Sequence, residues 1–274
     1  MIEIFLDTAD IEEIRLAMNE GILDGVTTNP STIKKSFEKY KKINHNLNLE
    51  KYIIETLKIC KNKPVSLEVV GDTLEEMISE GETLYKKFYR YGNVYIKIPV
   101  NPCMEKICSH DSDGIQAIKE LTKKKIPINC TLIFTPEQAL LAAKVGAKFV
   151  SPFIGREDDY IQTINRLKLK KGEIIPENNY KKSKKILDDN GIDSGIDLLK
   201  EIVKIFRVNK VKSKVLAASI RSKRQFREAA LAGADIITIP FNIFKELLTH
   251  EKTREGMKKF TDDTVEEYKK LLKA

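Results

Sequence analysis

The chain has 274 residues, of which 42% are hydrophobic, and 48 lysines and arginines against 40 acids give a formal net charge of +8. The length is close to that of one complete (β/α)8 barrel, so a second domain is not required. No apolar run approaches the roughly 18 residues of a membrane span, and the first residues carry acids where a secretion signal would carry positive charge. We expect a cytoplasmic protein with no membrane partner.

Eight short β-like segments alternate with segments of helical periodicity. The predicted strands are 2–7, 24–29, 64–70, 94–100, 126–134, 148–154, 214–220 and 234–241. The clearest helices between them are 10–21, 73–89, 135–148 and 222–235. Strands that alternate with helices pair in parallel through right-handed crossovers, and eight such units fit a closed barrel. We predict one α/β domain over residues 1–274, a (β/α)8 TIM barrel with parallel strands.

Three segments, 34–48, 101–113 and 157–191, exceed a minimal barrel and are predicted to be surface insertions. The last one contains much of the positive charge, with eight lysines and arginines against two glutamates between Tyr160 and Ile186. No aromatic ladder or base-reading motif accompanies this charge, so we expect no nucleic-acid partner. The segment could be a solvated surface, or it could lend lysines to phosphate capture.

The tail, 258–274, has the spacing of an amphipathic helix, with apolar residues at Phe260, Val265, Tyr268 and Leu272. This face could pack on its own barrel or on a neighbouring subunit, and the sequence alone does not choose between them. We expect a homo-oligomer.

Four cysteines, Cys60, Cys103, Cys108 and Cys130, have neither the density nor the spacing of a disulfide framework. Reduced thiols are therefore expected. The C-x4-C-x-H pattern that ends at His110 does not match a standard zinc spacing, so we expect no metal site.

Polar residues recur at positions of the predicted strands that share one face. In a parallel barrel, alternate residues point inward, and chemistry collects at the carboxyl ends of the strands. Taken in chain order, the residues placed there are Asp7, Thr27, Asn29, Ser66, Glu68, Lys97, Asn129, Thr131, Ser151, Phe153, Arg156, Ser219 and Arg221. Polar groups where a core would have valine or leucine predict a polar cavity at the barrel mouth.

Lys97, in the apolar stretch "VYIKIPV", has two interpretations. It could form a structural ion pair with Asp7 or Glu68, since a buried ammonium group needs a partner. It could instead be an amine nucleophile that attacks a ketone. Arg156 and Arg221 supply fork-shaped donors that suit a phosphate monoester, and this favours a Schiff-base aldol enzyme acting on a sugar phosphate.

Five motifs, in this order and at these intervals, carry a specific resemblance: "FLDTAD", "DGVTTNPS", "VYIKIP", "VSPFIGR" and "LAASIR". The chain resembles the transaldolase family, in particular its compact microbial branch, to which the fructose-6-phosphate aldolases are related. The resemblance implies a barrel enzyme of the non-oxidative pentose phosphate pathway that needs no metal or organic cofactor. Such enzymes move a dihydroxyacetone unit from fructose 6-phosphate or sedoheptulose 7-phosphate to erythrose 4-phosphate or glyceraldehyde 3-phosphate.

The resemblance also implies roles for individual residues. Lys97 would form the Schiff base, Asp7 would act as the acid and base, and Glu68 with Thr131 would hold a water molecule. The residues that would bind the sugar hydroxyls or line the substrate site are Thr27, Asn29, Asn129, Ser151 and Phe153. The residues that would bind the phosphate are Arg156, Ser219 and Arg221.

Two positions bear on the choice within the superfamily. Glu68 and Phe153 are similar to the transaldolases, whereas the aldolases carry glutamine and tyrosine there, so both residues favour transfer over simple cleavage. The alternatives are a fructose-6-phosphate aldolase and, from another class, a catalytically inactive barrel that binds sugar phosphates.

Overall fold

A computed structural model of the chain describes residues 1–105, 108–164 and 191–272. Eight parallel strands pair in chain order, and the last pairs with the first, so the sheet closes into a barrel. The strands are β1 (Glu3–Asp7), β2 (Gly25–Thr27), β3 (Pro64–Glu68), β4 (Asn93–Pro99), β5 (Ile128–Ile133), β6 (Phe149–Pro152), β7 (Lys214–Ala217) and β8 (Ile236–Ile239). The predicted fold class is confirmed, and the ends of the strands lie within three residues of the predicted ends.

The helices surround this sheet. They are α1 (Ile11–Asn19), α2 (Pro30–Lys41), α3 (Leu49–Ile59), α4 (Leu74–Phe88), α5 (Asp113–Lys123), α6 (Pro136–Lys144), α7 (Ile154–Ile164), α8 (Gly195–Val208), α9 (Lys223–Ala232), α10 (Phe241–Leu247), α11 (Glu251–Asp262) and α12 (Glu266–Leu271). Local signals set several of their ends. Asn29 and Thr135 cap α2 and α6 with a proline at the next position, and Gly233 ends α9 in the left-handed conformation.

The outer core lies between the sheet and the helices. Outward-facing strand residues such as Leu67, Ile96 and Ile98 are buried there against helix residues such as Met77 and Leu121. This layer is almost entirely aliphatic, and it holds the helices on the barrel through the hydrophobic effect.

The inside of the barrel has an apolar end, which we call the barrel floor: Phe5, Tyr95, Phe149, Leu216 and Ile236. The Phe149 ring stacks on Tyr95 at 4.4 Å between centroids and meets Phe5 edge to face at 6.0 Å. At Gly25, a β-carbon would lie 2.4 Å from the Phe5 ring, so the absence of a side chain there makes room for this ring. The floor closes the barrel at the amino-terminal side of the polar residues.

The segments predicted as insertions are partly helical. Residues 34–41 belong to α2, and residues 157–164 belong to α7, where Glu157 and Asp158 are buried. The remainder of the third segment, 165–190, lies outside the described residues. The predicted C-terminal helix is present, but it is divided into α11 and α12 by a break at 263–265, and neither part buries a residue.

The expectation of reduced thiols is wrong for one pair of cysteines. Cys103 and Cys108 form a disulfide with a Cα–Cα distance of 6.2 Å. The bridge closes a short loop after β4, and a local closure of this kind leaves no framework pattern in the sequence. Cys60 and Cys130 are free and buried, and burial raises the pKa of the Cys60 thiol to about 12.

Within the described residues, none of the helices combines the length and the apolar character that crossing a membrane requires. The same residues contain no group of three or more histidine, cysteine or acidic side chains arranged to hold a metal ion.

Candidate active site

A cavity of about 100 Å³ opens at the carboxyl ends of the strands. Nine of the twelve residues to which the resemblance gave a role line it: Asp7, Thr27, Asn29, Lys97, Asn129, Ser151, Phe153, Arg156 and Ser219. The other three, Glu68, Thr131 and Arg221, lie outside this lining. Period-two alternation brings together those that lie in strands, Asp7, Thr27, Lys97, Asn129 and Ser151, and the others follow the carboxyl ends of β2, β6 and β7.

Lys97 lies at the base of this cavity and is only 5% exposed. Its Nζ is 3.0 Å from Oε2 of Glu68 and donates a 3.4 Å hydrogen bond to the carbonyl oxygen of Thr28. The β3–β4 register pairs Glu68 directly with Lys97. Of the two carboxylates that the sequence offered as partners, Glu68 is the ion-pair partner. The contact is an ion pair rather than an aligned hydrogen bond.

Asp7 ends β1 on the opposite side of the cavity. The hydroxyl of Thr27 donates to its Oδ1 at 3.1 Å, and Thr27 in turn contacts the hydroxyl of Thr238 at 2.6 Å. Burial raises the pKa of Asp7, although Lys97, the Thr27 hydroxyl and Arg156 act in the opposite direction. Asp7 therefore keeps a proton to a higher pH than an ordinary aspartate.

Asn129 lies at the centre of a buried hydrogen-bond chain. Its Oδ1 accepts a 2.6 Å hydrogen bond from the Ser151 hydroxyl, and its Nδ2 donates to the Ser66 hydroxyl at 3.1 Å. A serine hydroxyl can donate or accept, so both contacts are satisfied with the amide in this orientation. One Nδ2 hydrogen remains for a bound molecule.

Thr131 has a different environment. Its hydroxyl oxygen is buried and has no hydrogen-bond partner among the described residues. The β5–β6 register shifts between Cys130 and Ile133, and Leu132 has a positive φ of 58°. Buried hydroxyl groups in folded proteins are usually hydrogen-bonded, so this one is available to a small bound molecule.

The two arginines predicted to bind phosphate have different contacts. Arg156, in the first turn of α7, lines the cavity and lies 5.1 Å from the centroid of the Phe153 ring. Arg221 follows β7 and forms a two-point ion pair with Asp159 of α7, with Nη2 and Oδ2 2.5 Å apart. Ser219, between β7 and Arg221, has a left-handed φ of 61° and lines the cavity.

Two residues that the sequence did not single out belong to this region. Thr238 of β8 lines the cavity. The sequence contains a signal for it: Thr238 is the one polar residue in the apolar run "IITIP", and it lies two residues after Ile236, on the same face of the strand. Asp159, the partner of Arg221, gave no signal, because its position depends on how α7 packs against the β7–α9 loop.

The end of β4 is held in place by the start of α5. At Gly114 a β-carbon would lie 2.1 Å from the carbonyl oxygen of Pro99, so helix and strand approach too closely for any side chain. The neighbouring carboxylate of Asp113 accepts a hydrogen bond from the backbone N–H of Leu74 at 3.1 Å. These contacts tie the strand that carries Lys97 to α4 and α5.

Comparison with known proteins places this chain in a family. Residues 4–274 match the model of the family "Transaldolase/Fructose-6-phosphate aldolase". The chain is 40% identical over 262 residues to a probable transaldolase of Thermoplasma acidophilum, with 95% of this chain and 94% of that protein covered. It is 39% identical over 269 residues to a probable transaldolase of Bacteroides thetaiotaomicron, with 97% and 98% covered. The chain therefore belongs to the transaldolase/fructose-6-phosphate aldolase family and is an enzyme that transfers aldehyde or ketone groups.

Proposed function

We propose that this enzyme is a transaldolase that acts through a Schiff base on Lys97. The observation that carries the proposal is the geometry of Lys97: a buried amine at the base of a polar cavity, 3.0 Å from the Glu68 carboxylate. A neutral lysine amine attacks a ketone, and Glu68 is placed to accept the proton that the ammonium form must lose first.

The reaction begins when Nζ of Lys97 attacks C2 of the ketose and the carbinolamine loses water to give an iminium. Asp7, across the cavity from Lys97, takes the proton from the C4 hydroxyl while the C3–C4 bond breaks. The aldose product leaves, and the electrons of the broken bond form a neutral enamine on Lys97. An acceptor aldehyde then forms the new carbon–carbon bond, Asp7 returns its proton to the new hydroxyl, and hydrolysis of the iminium frees Lys97.

Proton transfer at the carbinolamine stage is assigned to Glu68 and Thr131. The Thr131 hydroxyl is buried and has no partner among the described side chains, which suits it to bind the water that is released and later consumed. Glu68 is ion-paired with Lys97 and can exchange protons with that water.

Different residues of the site bind the two parts of the substrate. Thr27, Asn29, Asn129 and Ser151 present hydroxyl and amide groups to the dihydroxyacetone unit of the donor. The phosphate group binds to Arg156, Ser219 and Arg221, because guanidinium groups match the geometry of phosphate oxygens. The proposed donors are fructose 6-phosphate and sedoheptulose 7-phosphate, and the acceptors are erythrose 4-phosphate and glyceraldehyde 3-phosphate, as in the non-oxidative pentose phosphate pathway.

Phe153 supports transfer over simple aldol cleavage. Its ring lies 5.8 Å from Nζ of Lys97 and brings no hydroxyl group to the enamine. Without an extra proton donor at this point, the enamine persists until an aldehyde acceptor arrives.

We also propose that the enzyme is a cytoplasmic homo-oligomer that needs no cofactor. The C-terminal segment 251–272, which contains α11 and α12, exposes Met257, Phe260, Val265, Tyr268 and Leu272. A second copy of the chain would cover these apolar side chains, and sedimentation at several protein concentrations would measure this.

The covalent step is tested by borohydride reduction in the presence of fructose 6-phosphate, followed by intact mass and peptide mapping. We expect one adduct on Lys97 in the native enzyme and in a Lys51→Met control, which removes an exposed lysine of α3. Lys97→Met should remain folded and give no adduct. An adduct on Lys97→Met of the same size would contradict the assignment.

A second measurement separates the alternatives. If fructose 6-phosphate is consumed only when erythrose 4-phosphate is present, the enzyme transfers the three-carbon unit. Steady release of dihydroxyacetone without an acceptor would indicate an aldolase. Phosphate-ligand binding without any adduct would indicate an inactive sugar-phosphate-binding barrel.

A further inference from the structure

The ion pair between Asp159 and Arg221 lies at the rim of the candidate site. Each terminal nitrogen of the guanidinium meets one carboxylate oxygen, and the Nη2–Oδ2 distance is 2.5 Å. The Arg221 side chain is 17% exposed and that of Asp159 is 53% exposed. This two-point geometry is the one that a phosphate group would use on the same guanidinium.

The pair directs Arg221 away from the cavity that contains Lys97. Arg221 does not line that cavity but faces a neighbouring recess of about 560 Å³ with Phe134, Asp159 and Tyr160. Arg156 lines both spaces. Arg156 therefore faces the cavity that contains Lys97, while Arg221 is paired with the Asp159 carboxylate at the edge of that cavity.

The backbone of Arg221 is held by contacts that do not involve Asp159. Its N–H donates to Oε1 of Gln225 at 2.8 Å, and Nε2 of Gln225 donates to Asp158 at 2.7 Å. Asp158 also accepts the N–H of Gly195 at 2.9 Å. Side-chain rotation alone can therefore free the guanidinium, and the loop between β7 and α9 need not move.

We propose that Asp159 is a positioning residue that acts as a latch on Arg221. In the ligand-free enzyme its carboxylate holds the guanidinium at the rim, and the phosphate of the substrate competes with Asp159 for it. The inference rests on the proposed phosphate-binding role of Arg156, Ser219 and Arg221. The latch lowers the affinity for every phosphate ligand. It does not change the affinity for a donor that lacks phosphate, because such a donor does not bind Arg221.

The test compares Asp159→Asn with the native enzyme. Because Asp159 is half exposed, we expect inorganic phosphate to bind about three- to tenfold more tightly to the variant by calorimetry. The KM for fructose 6-phosphate should fall by a similar factor, while the KM for unphosphorylated fructose stays unchanged. Asp159→Glu, which keeps the charge, should resemble the native enzyme.

A matched control removes the same charge elsewhere on the catalytic face. Asp72 is exposed in the loop between β3 and α4, so Asp72→Asn changes the net charge without touching Arg221. If Asp72→Asn tightens phosphate as much as Asp159→Asn does, the effect is general electrostatics and the latch is overturned. Weaker phosphate binding by Asp159→Asn would also overturn it, since Asp159 would then preorganise Arg221 for the phosphate.

A further variant separates this inference from the proposed function. If phosphate binds the native enzyme and Arg221→Ala weakens this binding, the proposed phosphate site is supported. An unchanged phosphate affinity in Asp159→Asn would then reject only the latch. If phosphate does not bind, or if Arg221→Ala has no effect, both the phosphate assignment and the latch are rejected. Circular dichroism and the thermal midpoint verify that each variant is folded.

Discussion

The barrel floor and the polar cavity lie on the same strands, but they contribute differently to the stability of the barrel. In the floor, the rings of Phe5, Tyr95 and Phe149 pack against one another and exclude water. Two residues further along β4 and β6, Lys97 and Ser151 face a polar cavity instead. The floor contributes stability, whereas the polar half contains groups whose burial is unfavourable until a substrate arrives.

The polar half shows this in two places. Burial raises the pKa of Asp7, so the ionised carboxylate is less stable there than in water. The Thr131 hydroxyl is buried without a partner among the described residues. We infer that the floor and the outer core supply the stability that these positions do not.

The largest effect is expected from Asp7→Asn. The amide cannot take up a proton from the donor hydroxyl, so kcat should fall by about 10²- to 10⁴-fold, the range typical of general acid–base catalysis. Transfer from fructose 6-phosphate to erythrose 4-phosphate measures this loss. Retention of more than a tenth of the activity would exclude Asp7 as the acid and base.

The same variant has a pH signature in stability. Because the folded pKa of Asp7 lies above its ordinary value of 3.8, the folded state binds this proton more tightly than the unfolded state does. Stability from this group is therefore greatest at low pH and falls as pH rises from about 4 through the folded pKa. The free energy of unfolding of native enzyme minus that of Asp7→Asn should decrease over this window, measured by urea unfolding at several pH values. An increase would show that Asp7 is stabilised in its charged form.

The next largest effect is expected from Phe149→Ala in the floor. Removing a buried aromatic ring typically lowers the free energy of unfolding by about 3 to 5 kcal/mol. Activity per folded molecule should change by less than about threefold, because Phe149 does not line the cavity. Urea unfolding and active-site titration measure the two quantities separately. A large loss of kcat in folded protein would show that the two halves are coupled.

The smallest effect on stability is expected from Thr131→Val. Valine keeps the shape and removes a hydroxyl that has no partner in the described structure, so the free energy of unfolding should change by less than about 1 kcal/mol. Turnover should fall by about tenfold or more if the hydroxyl holds the water that transfers protons. Thr8→Val is the matched control, since the Thr8 hydroxyl donates to Glu13 at 2.6 Å and accepts the N–H of Asp10. The control should lose about 1 to 3 kcal/mol of stability.

The sequence predicted the barrel and most of the cavity because both follow from local rules. Side chains along a strand point alternately to its two faces. Lys97, Asn129 and Ser151 could therefore be placed on the inner face before any contact was known. Polar residues at the ends of parallel strands then had to meet at one end of the barrel.

Other features depend on contacts that alternation does not encode. The direction of the Arg221 side chain is set by Asp159 on a neighbouring helix. The disulfide between Cys103 and Cys108 depends on the path of an irregular loop. Apolar spacing predicted one C-terminal helix and gave no sign of the break at 263–265, since spacing reports which face is apolar and not where the backbone turns.

The close approach at Gly114 has a consequence for how this enzyme tolerates mutation. Even alanine at 114 would push its β-carbon into the backbone of Pro99, two residues from Lys97. A random-mutagenesis screen that scores only activity should therefore find position 114 as intolerant of substitution as Lys97, the proposed nucleophile, although a glycine offers no chemistry. In such a map, intolerance to substitution marks the residues that aim the amine as well as the residue that carries it.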